Sequence, residues 1–177
     1  MKSKNVLIIA GEVSGDLHGA SLIRELKKLD GSLKIFGIGG NKMKAEGMEL
    51  NYHIDKMAFL GFVEVIKHLP FIKKVQRDIL DEVKKRKVRE VVLIDYPGFN
   101  LSIAKKLKQL NPELKPELIY YITPQVWAWG KGRVNKIKEL FNKVLVVFPF
   151  EEKFFKSKNV NAEFVGHPLM QEISRYD

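Results

Sequence analysis

Two stretches of this chain are apolar at every position instead of at every second one. Val6–Ala10 and Val91–Ile94 each run without a polar break, then stop abruptly in a polar loop. A continuous apolar run of this length is what a central parallel strand carries when both of its faces are covered, so strands are predicted at Asn5–Ala10 and Glu90–Ile94. After the first loop, Leu22, Ile23, Leu26 and Leu29 keep helical spacing and predict a helix from about Asp16 to Leu29, ended by Asp30-Gly31. Further strands are expected at Leu33–Ile38, Met48–Ile54, Glu117–Ile122, Lys143–Phe148 and Glu163–Val165. A short helix should lie between Gly39-Gly40 and Gly47, with others near Leu101–Leu110, Val134–Phe141 and Glu151–Phe155.

Strands alternating with helices at this spacing give an α/β fold: a doubly wound, mostly parallel, Rossmann-like sheet. Ligands of such sheets sit outside the carboxyl ends of the strands, where the strand order reverses. In the usual order that point falls between Asn5–Ala10 and Glu90–Ile94. Topology alone therefore sets the loop Gly11–Asp16 across one crevice from the loop Asp95–Asn100.

Met57–Val83 has a different pattern. It reads as two helices broken at Pro70, a residue suited to a first helical turn and not to a helix interior. Phe59, Phe62, Val63, Ile66 and Leu69 form one apolar stripe, and Leu60 and Val65 lie off it, so the first helix is apolar over most of its circumference. Phe71 and Ile72 extend the apolar surface beyond Pro70, while Lys67, Lys73, Lys74 and Arg77 flank it. Such a segment is either a helix buried against the sheet or one lying in a membrane interface.

Composition narrows the classes. At 177 residues the chain allows one ordinary domain and buries about 70% of its unfolded surface. It contains no cysteine, which excludes disulfides, thiolate metal sites and a cysteine nucleophile, and suits a reducing cytoplasm. The amino-terminal apolar run is too short for a signal peptide, and no run approaches a membrane span. The net charge of +10 and pI near 9.6 favour anionic partners, unless they reflect lysine used only for solubility. Without a known binding motif, nucleic acid is not an expected partner.

The loops carry the chemistry. The first lacks both the GxGxxG and the GxxxxGK[ST] phosphate cradles. Gly11, Gly15 and Gly19 allow tight turning and close approach of helix to strand, yet Glu12 would repel a phosphate set deep in the loop. Carboxylates here suit hydrogen bonds to sugar hydroxyls or proton transfer, with Glu12 the functional candidate; Ser14 or Asp16 has the alternative task of capping the following helix. Asp95, at the end of a buried strand, is partly desolvated, which can lift its pKa toward a useful general-base value; its alternative task is to bond backbone amides of its own turn. Asn100 braces the second loop or caps its helix. His18 is a secondary acid/base candidate near the first loop. Trp127 and Trp129 suit either stacking on a sugar ring or core packing, with Lys131 and Arg133 nearby for a phosphate. The four histidines show no metal-ligand spacing, and neither a metal nor a cofactor is expected.

GEVSGDLHG, DYPGFN, PQVWAW, FPFE and FVGHPL, in this order and at these separations, resemble the lipid-A-disaccharide synthase family from Val6 to about Leu169. The resemblance implies an inverting, metal-independent glycosyltransferase of the GT-B fold, of which this chain covers the amino-terminal half. It implies transfer of 2,3-diacylglucosamine from its UDP donor to 2,3-diacylglucosamine 1-phosphate. By the same likeness Asp95 matches the base for the acceptor 6-hydroxyl, and Glu12, Ser14 and Asp16 match the active-site loop. Asp95 and Glu12 are thus the expected catalytic pair, with Gly11, Ser14, Gly15, Asp16, His18, Asn100, Gln125, Trp127 and Trp129 around substrate. Gly98 departs from the pattern, since relatives often carry an acid there.

The likeness further implies peripheral attachment to the cytoplasmic face of the inner membrane of a Gram-negative bacterium, among anionic lipids. Phe59, Leu60, Phe62, Val63, Ile66, Leu69, Phe71 and Ile72 would then face the membrane or the acyl chains. Residues 1–166 are expected to form the acceptor-side domain and 167–177 the start of an interdomain linker. The donor-binding domain would be absent from this chain, which is either truncated or one half of a split enzyme with a separate carboxyl-terminal half as partner, and inactive alone. The competing readings are a non-catalytic module docking on anionic lipid and a flavodoxin-like nucleotide-binding domain.

Overall fold

The computed structural model describes residues 4–57, 68–124 and 131–168. Its elements run β1 (Asn5–Ala10), α1 (Val13–Leu29), β2 (Lys34–Gly39), α2 (Asn41–Ala45), β3 (Glu49–His53), α3 (Leu69–Lys85), β4 (Glu90–Ile94) and α4 (Pro97–Lys108). Then follow β5 (Glu117–Tyr121), α5 (Lys131–Leu140), β6 (Lys143–Val146), α6 (Pro149–Lys156) and β7 (Ala162–Phe164). Among the described residues the strands form one 7-stranded sheet in the order β3-β2-β1-β4-β5-β6-β7, every neighbouring pair parallel. The expected doubly wound sheet is present, and it is wholly parallel. The order reverses between β1 and β4, where Ala10 lies opposite Ile94 at the carboxyl edge.

Both faces of the central strands are covered, which explains their unbroken apolar sequence. Val6, Ile8, Ala10, Val92 and Ile94 meet Ala20 and Ile23 of α1 and Met43 of α2. Leu7, Ile9 and Leu93 belong to the opposite core, shared with Val75 and Ile79 of α3, Ile103 and Leu107 of α4, Ile137 of α5 and Phe155 of α6. Leu7, Ile8, Ile9 and Ala10 have no exposed surface at all. A polar substitution at any of them would strand a group between two helical layers.

Several helices begin earlier than their apolar periodicity indicates. α1 starts at Val13, with Glu12 in the extended N-cap position and no side-chain cap bond. Val13 and Ser14 are exposed, so the first turn leaves no apolar signature. α4 starts at Pro97, whose fixed φ suits a first helical position. α5 starts at Lys131. Pro70 is the second residue of α3, within its first turn as its chemistry requires. The helix expected before it falls on residues 58–67, outside those described, and with it Phe59, Leu60, Phe62, Val63 and Ile66. Leu69 is exposed, whereas Phe71 and Ile72 are half-buried against the core, Phe71 edge-on to Tyr52 at 5.9 Å between ring centres. No helix among the described residues is long and apolar enough to cross a membrane.

Candidate functional site

The adjacent ends of β1 and β4 launch two loops side by side, and their contact is an aromatic ring on a glycine. Gly11 is buried beneath Tyr96, and a Cβ on Gly11 would overlap that ring. The close approach therefore requires glycine. Gly15, one turn into α1, faces the Ala10 side chain, where an added Cβ would lie 3.1 Å away.

The second loop makes its turn through two successive left-handed residues, Asp95 (φ 43) and Tyr96 (φ 46). Neither is glycine, so each carries strain of roughly 1 kcal/mol or more that the surroundings must hold. They do so through many bonds. The Asp95 N–H donates to the Tyr121 carbonyl at 3.1 Å. The fully buried Asn100 donates from Nδ2 to the carbonyls of Ile94 (3.1 Å) and Asp95 (2.6 Å). The Tyr120 hydroxyl donates to the Asp95 carbonyl at 3.1 Å, and the Tyr96 hydroxyl to the Met57 carbonyl at 2.9 Å. Asn100 thus braces this loop, as one of its two expected tasks. Its Oδ1, like the Thr123 hydroxyl just after β5, is buried with no hydrogen-bond partner among the described residues.

Burial pushes the Asp95 carboxyl above the usual carboxylate range, the Glu12 charge pushes it further, and a hydrogen bond from the Tyr96 backbone opposes both. Burial and the same Glu12 charge raise the Tyr96 hydroxyl. The exposed Glu12 and the half-buried Asp95 are therefore within electrostatic reach across the crevice. Burial also drives the Tyr120 hydroxyl well up, with Asp95 adding to it and Arg133 opposing. Tyr120 keeps its proton and serves as a fixed donor to the loop.

Asp16 has a third fate. It is buried, and its carboxylate accepts from the backbone N–H groups of Gly40 (2.7 Å), Lys42 (3.0 Å) and Met43 (3.0 Å). It caps α2, not the helix on which it resides, because Gly40 at the α2 N-cap has no side chain to offer. The expected capping of α1 by Ser14 or Asp16 is corrected accordingly.

The other candidates scatter. Ser14 is exposed on the first turn of α1. His18 is half-buried and faces His167 at the exit of β7, with ring centres 6.3 Å apart and nearly perpendicular. His167 in turn lies 5.5 Å from Phe148 and lines a cavity of about 590 Å³ between α1 and the ends of β5, β6 and β7. Gln125, Trp127 and Trp129 fall outside the described residues. A Cβ on Gly98 would meet nothing within 4 Å, so nothing in the structure explains glycine there. No three His, Asp or Glu side chains among the described residues are grouped to hold a metal ion. Tyr96 and Tyr120 escaped sequence reasoning. The only signal for either was its place, beside Asp95 in one case and on the strand next to it in the other.

A wholly parallel, doubly wound sheet with two carboxylate-bearing loops at its switch point belongs to the class of Rossmann-like α/β domains. Residues 6–177 match the family described as lipid-A-disaccharide synthetase. The chain belongs to that family. It is 44% identical over 172 residues to a lipid-A-disaccharide synthase of Geobacter metallireducens, covering 97% of this chain and 44% of the relative. It is 43% identical over 169 residues to one from Coxiella burnetii, covering 96% and 44%. Against lipid-A-disaccharide synthase 1 of Legionella pneumophila the figures are 40% over 172 residues, 97% and 44%. The resemblance read from the motifs is borne out, and the chain spans less than half the length of these relatives.

Proposed function

We propose that this chain forms the acceptor-side half of a glycosyltransferase site in lipid A biosynthesis, with Asp95 as its general base. The acceptor is 2,3-diacylglucosamine 1-phosphate and the donor UDP-2,3-diacylglucosamine. Asp95 takes the proton of the acceptor 6-hydroxyl as that oxygen bonds to the donor's anomeric carbon. The bond from that carbon to UDP breaks, UDP leaves with the electron pair, and configuration inverts. The observation that carries this reading is the Asp95 carboxyl itself, raised by burial and by Glu12 at the mouth of the crevice. A base whose pKa approaches the working pH is the more effective for it, typically by about 10²–10⁴ in rate. Family membership and the relatives' name support the substrate class.

On this reading Glu12 adds to the upward shift that burial gives the Asp95 carboxyl, and reaches a sugar hydroxyl. Gly11, Ser14, Gly15, Asp16, His18, Asn100, Gln125, Trp127 and Trp129 surround or shape the substrate, Asp16 and Asn100 doing so through the backbone they fix. Residues 1–166 act as the acceptor domain and 167–177 lead toward a donor-binding half, so this chain alone does not turn over. Residues 59–72, flanked by Lys73, Lys74 and Arg77, touch the cytoplasmic leaflet of the inner membrane. A transfer assay with both lipid substrates tests this, run with this chain alone and then with a carboxyl-terminal half of a relative. Product only in the second case is expected. Product from this chain alone, or none from either, would remove the proposal.

A further inference from the structure

A groove of about 460 Å³ runs between α4 and α5, and Pro97 and Gly98, which follow Asp95 in the chain, line one end of it. Lys105, Arg133 and Lys136 line it, with Glu139 the one carboxylate among its described lining residues, over apolar walls that include Leu101 and Leu140. None of the described ion pairs takes up Lys105, Arg133 or Lys136.

The charges are not spread evenly along the groove. α4 and α5 follow the neighbouring parallel strands β4 and β5, so both begin at the carboxyl edge and run the same way. At about 1.5 Å of rise per residue, Arg133 lies near the mouth at the level of Gly98, and Lys136 one turn deeper. Glu139 lies one further turn in, and Lys105, as far along α4 as Glu139 is along α5, lies toward the same end. Arg133 and Lys136 therefore both lie nearer the mouth than Glu139, with Lys136 midway between the other two. The mouth is also electrically continuous with the catalytic loop: the Arg133 charge reaches the Tyr120 hydroxyl, and that hydroxyl donates to the Asp95 carbonyl.

We propose that the mouth of this groove seats the phosphate of the acceptor, with Arg133 and Lys136 as its binding residues. The inference rests on the reading of Asp95 as the base. In an acceptor hexosamine the 1-phosphate hangs from C1 and the 6-hydroxyl from the CH2 on C5, the two carbons that flank the ring oxygen, so the ring fixes one group relative to the other. A phosphate held at the mouth thus turns the hydroxyl toward Asp95, and the apolar walls take the adjoining acyl chain. A guanidinium and an ammonium together suit a dianionic phosphomonoester, the first as a fork and the second as a point charge.

Calorimetric titration of the full chain with 2,3-diacylglucosamine 1-phosphate in neutral detergent micelles tests this. The dephosphorylated glycolipid, inorganic phosphate and phosphatidylglycerol vesicles form separate arms. The phosphorylated glycolipid should bind at least tenfold more tightly than its dephosphorylated form, and Arg133→Gln and Lys136→Gln should each weaken it about tenfold. Glu139→Gln should leave that affinity unchanged or tighten it. All three residues are exposed, so the variants should keep the wild-type circular dichroism spectrum. Inorganic phosphate should compete with the glycolipid in the wild type and less so in the two cation variants. Undiminished glycolipid binding in both would place the phosphate elsewhere and overturn this inference, while the reading of Asp95 as base would stand. Variants that lose vesicle binding without losing preference for the phosphorylated glycolipid would make the groove a general anionic surface, which also overturns it. If the wild-type chain binds neither glycolipid, this inference and the acceptor-side reading fall together.

Discussion

Asp16 and Asp95 are carboxylates on the two loops of one crevice, and the fold treats them in opposite ways. Asp16 is more deeply buried, yet three backbone amides satisfy its oxygens, and its work is to fix α2 against α1. Asp95 is less buried and its side chain has little beyond one backbone bond from Tyr96, while Glu12 adds repulsion. The difference teaches that burial alone does not make a reactive acid. A buried carboxylate becomes useful in proton transfer when donors are withheld from it and a like charge is set nearby. The main-chain bonds around Asp95 go to its carbonyl and N–H, so the loop is rigid while the carboxylate stays unspent.

The sharpest way to break that contrast is Asp95→Asn. In a transfer assay with both halves present, it should lower the rate by about 10²–10⁴-fold. Its effect on stability should be opposite in sign. A carboxyl whose folded pKa is raised binds its proton more tightly in the native state than in the unfolded chain. The stability it contributes is present at low pH and is lost as pH rises through the folded pKa. At neutral pH Asp95 is thus a burden on the fold, and Asp95→Asn should raise the melting temperature of this chain while slowing transfer. A lower melting temperature would mean that Asp95 is a structural residue after all.

Asp16→Ala is the converse experiment. Removing it leaves the buried amides of Gly40 and Met43, and the part-buried one of Lys42, without acceptors at the start of α2, at a cost of about 2–3 kcal/mol. Urea unfolding measures this. A loss below about 1 kcal/mol would show that water replaces the carboxylate, and that Asp16 is freer to meet substrate than its hydrogen bonds indicate.

These two fates could be told from sequence only in part. The unbroken apolar strands gave away β1 and β4, and the reversal point between them brought Gly11 and Asp95 together before any side chain was placed. Gly11 itself was legible as a position of close approach. What Asp16 does was not, because its partners lie on Gly40, Lys42 and Met43, and nothing local signals that a bare glycine N-cap will borrow a carboxylate from another helix. The bracing by Tyr120 was hidden for a similar reason. A tyrosine in a strand reads as core, and its hydroxyl finds the Asp95 carbonyl only through the pairing of β4 with β5. The early helix starts at Val13 and Pro97 were missed because exposed or turn-forming residues fill those first turns and carry no apolar period.

Glu12→Gln sharpens the contrast at smaller cost. It removes the charge that helps to raise Asp95, so the acidic limb of the pH–rate profile should move to lower pH. The rate at neutral pH should change far less than for Asp95→Asn. An unmoved limb would show that the two loops are electrostatically separate. A rate loss of about a hundredfold would instead make Glu12 a proton carrier in its own right.

Tyr120→Phe should have the smallest effect. The ring remains stacked on Phe141, with centres 4.5 Å apart, so the core keeps its volume and only the hydroxyl is lost. The Asp95 carbonyl still accepts from Asn100, so no buried acceptor is orphaned, and the expected cost is about 1 kcal/mol. Asn100→Ala is the matched comparison, because it strips a donor from the Ile94 and Asp95 carbonyls at once. It should cost roughly 2–3 kcal/mol and release the strained Asp95-Tyr96 turn. If Tyr120→Phe nevertheless reduced transfer as much as Asn100→Ala, the loop would depend on every one of its bonds. If it left transfer unchanged, Asn100 and the remaining bonds of the loop would suffice to hold the left-handed turn, and Tyr120 would matter chiefly for the packing of the strand beneath.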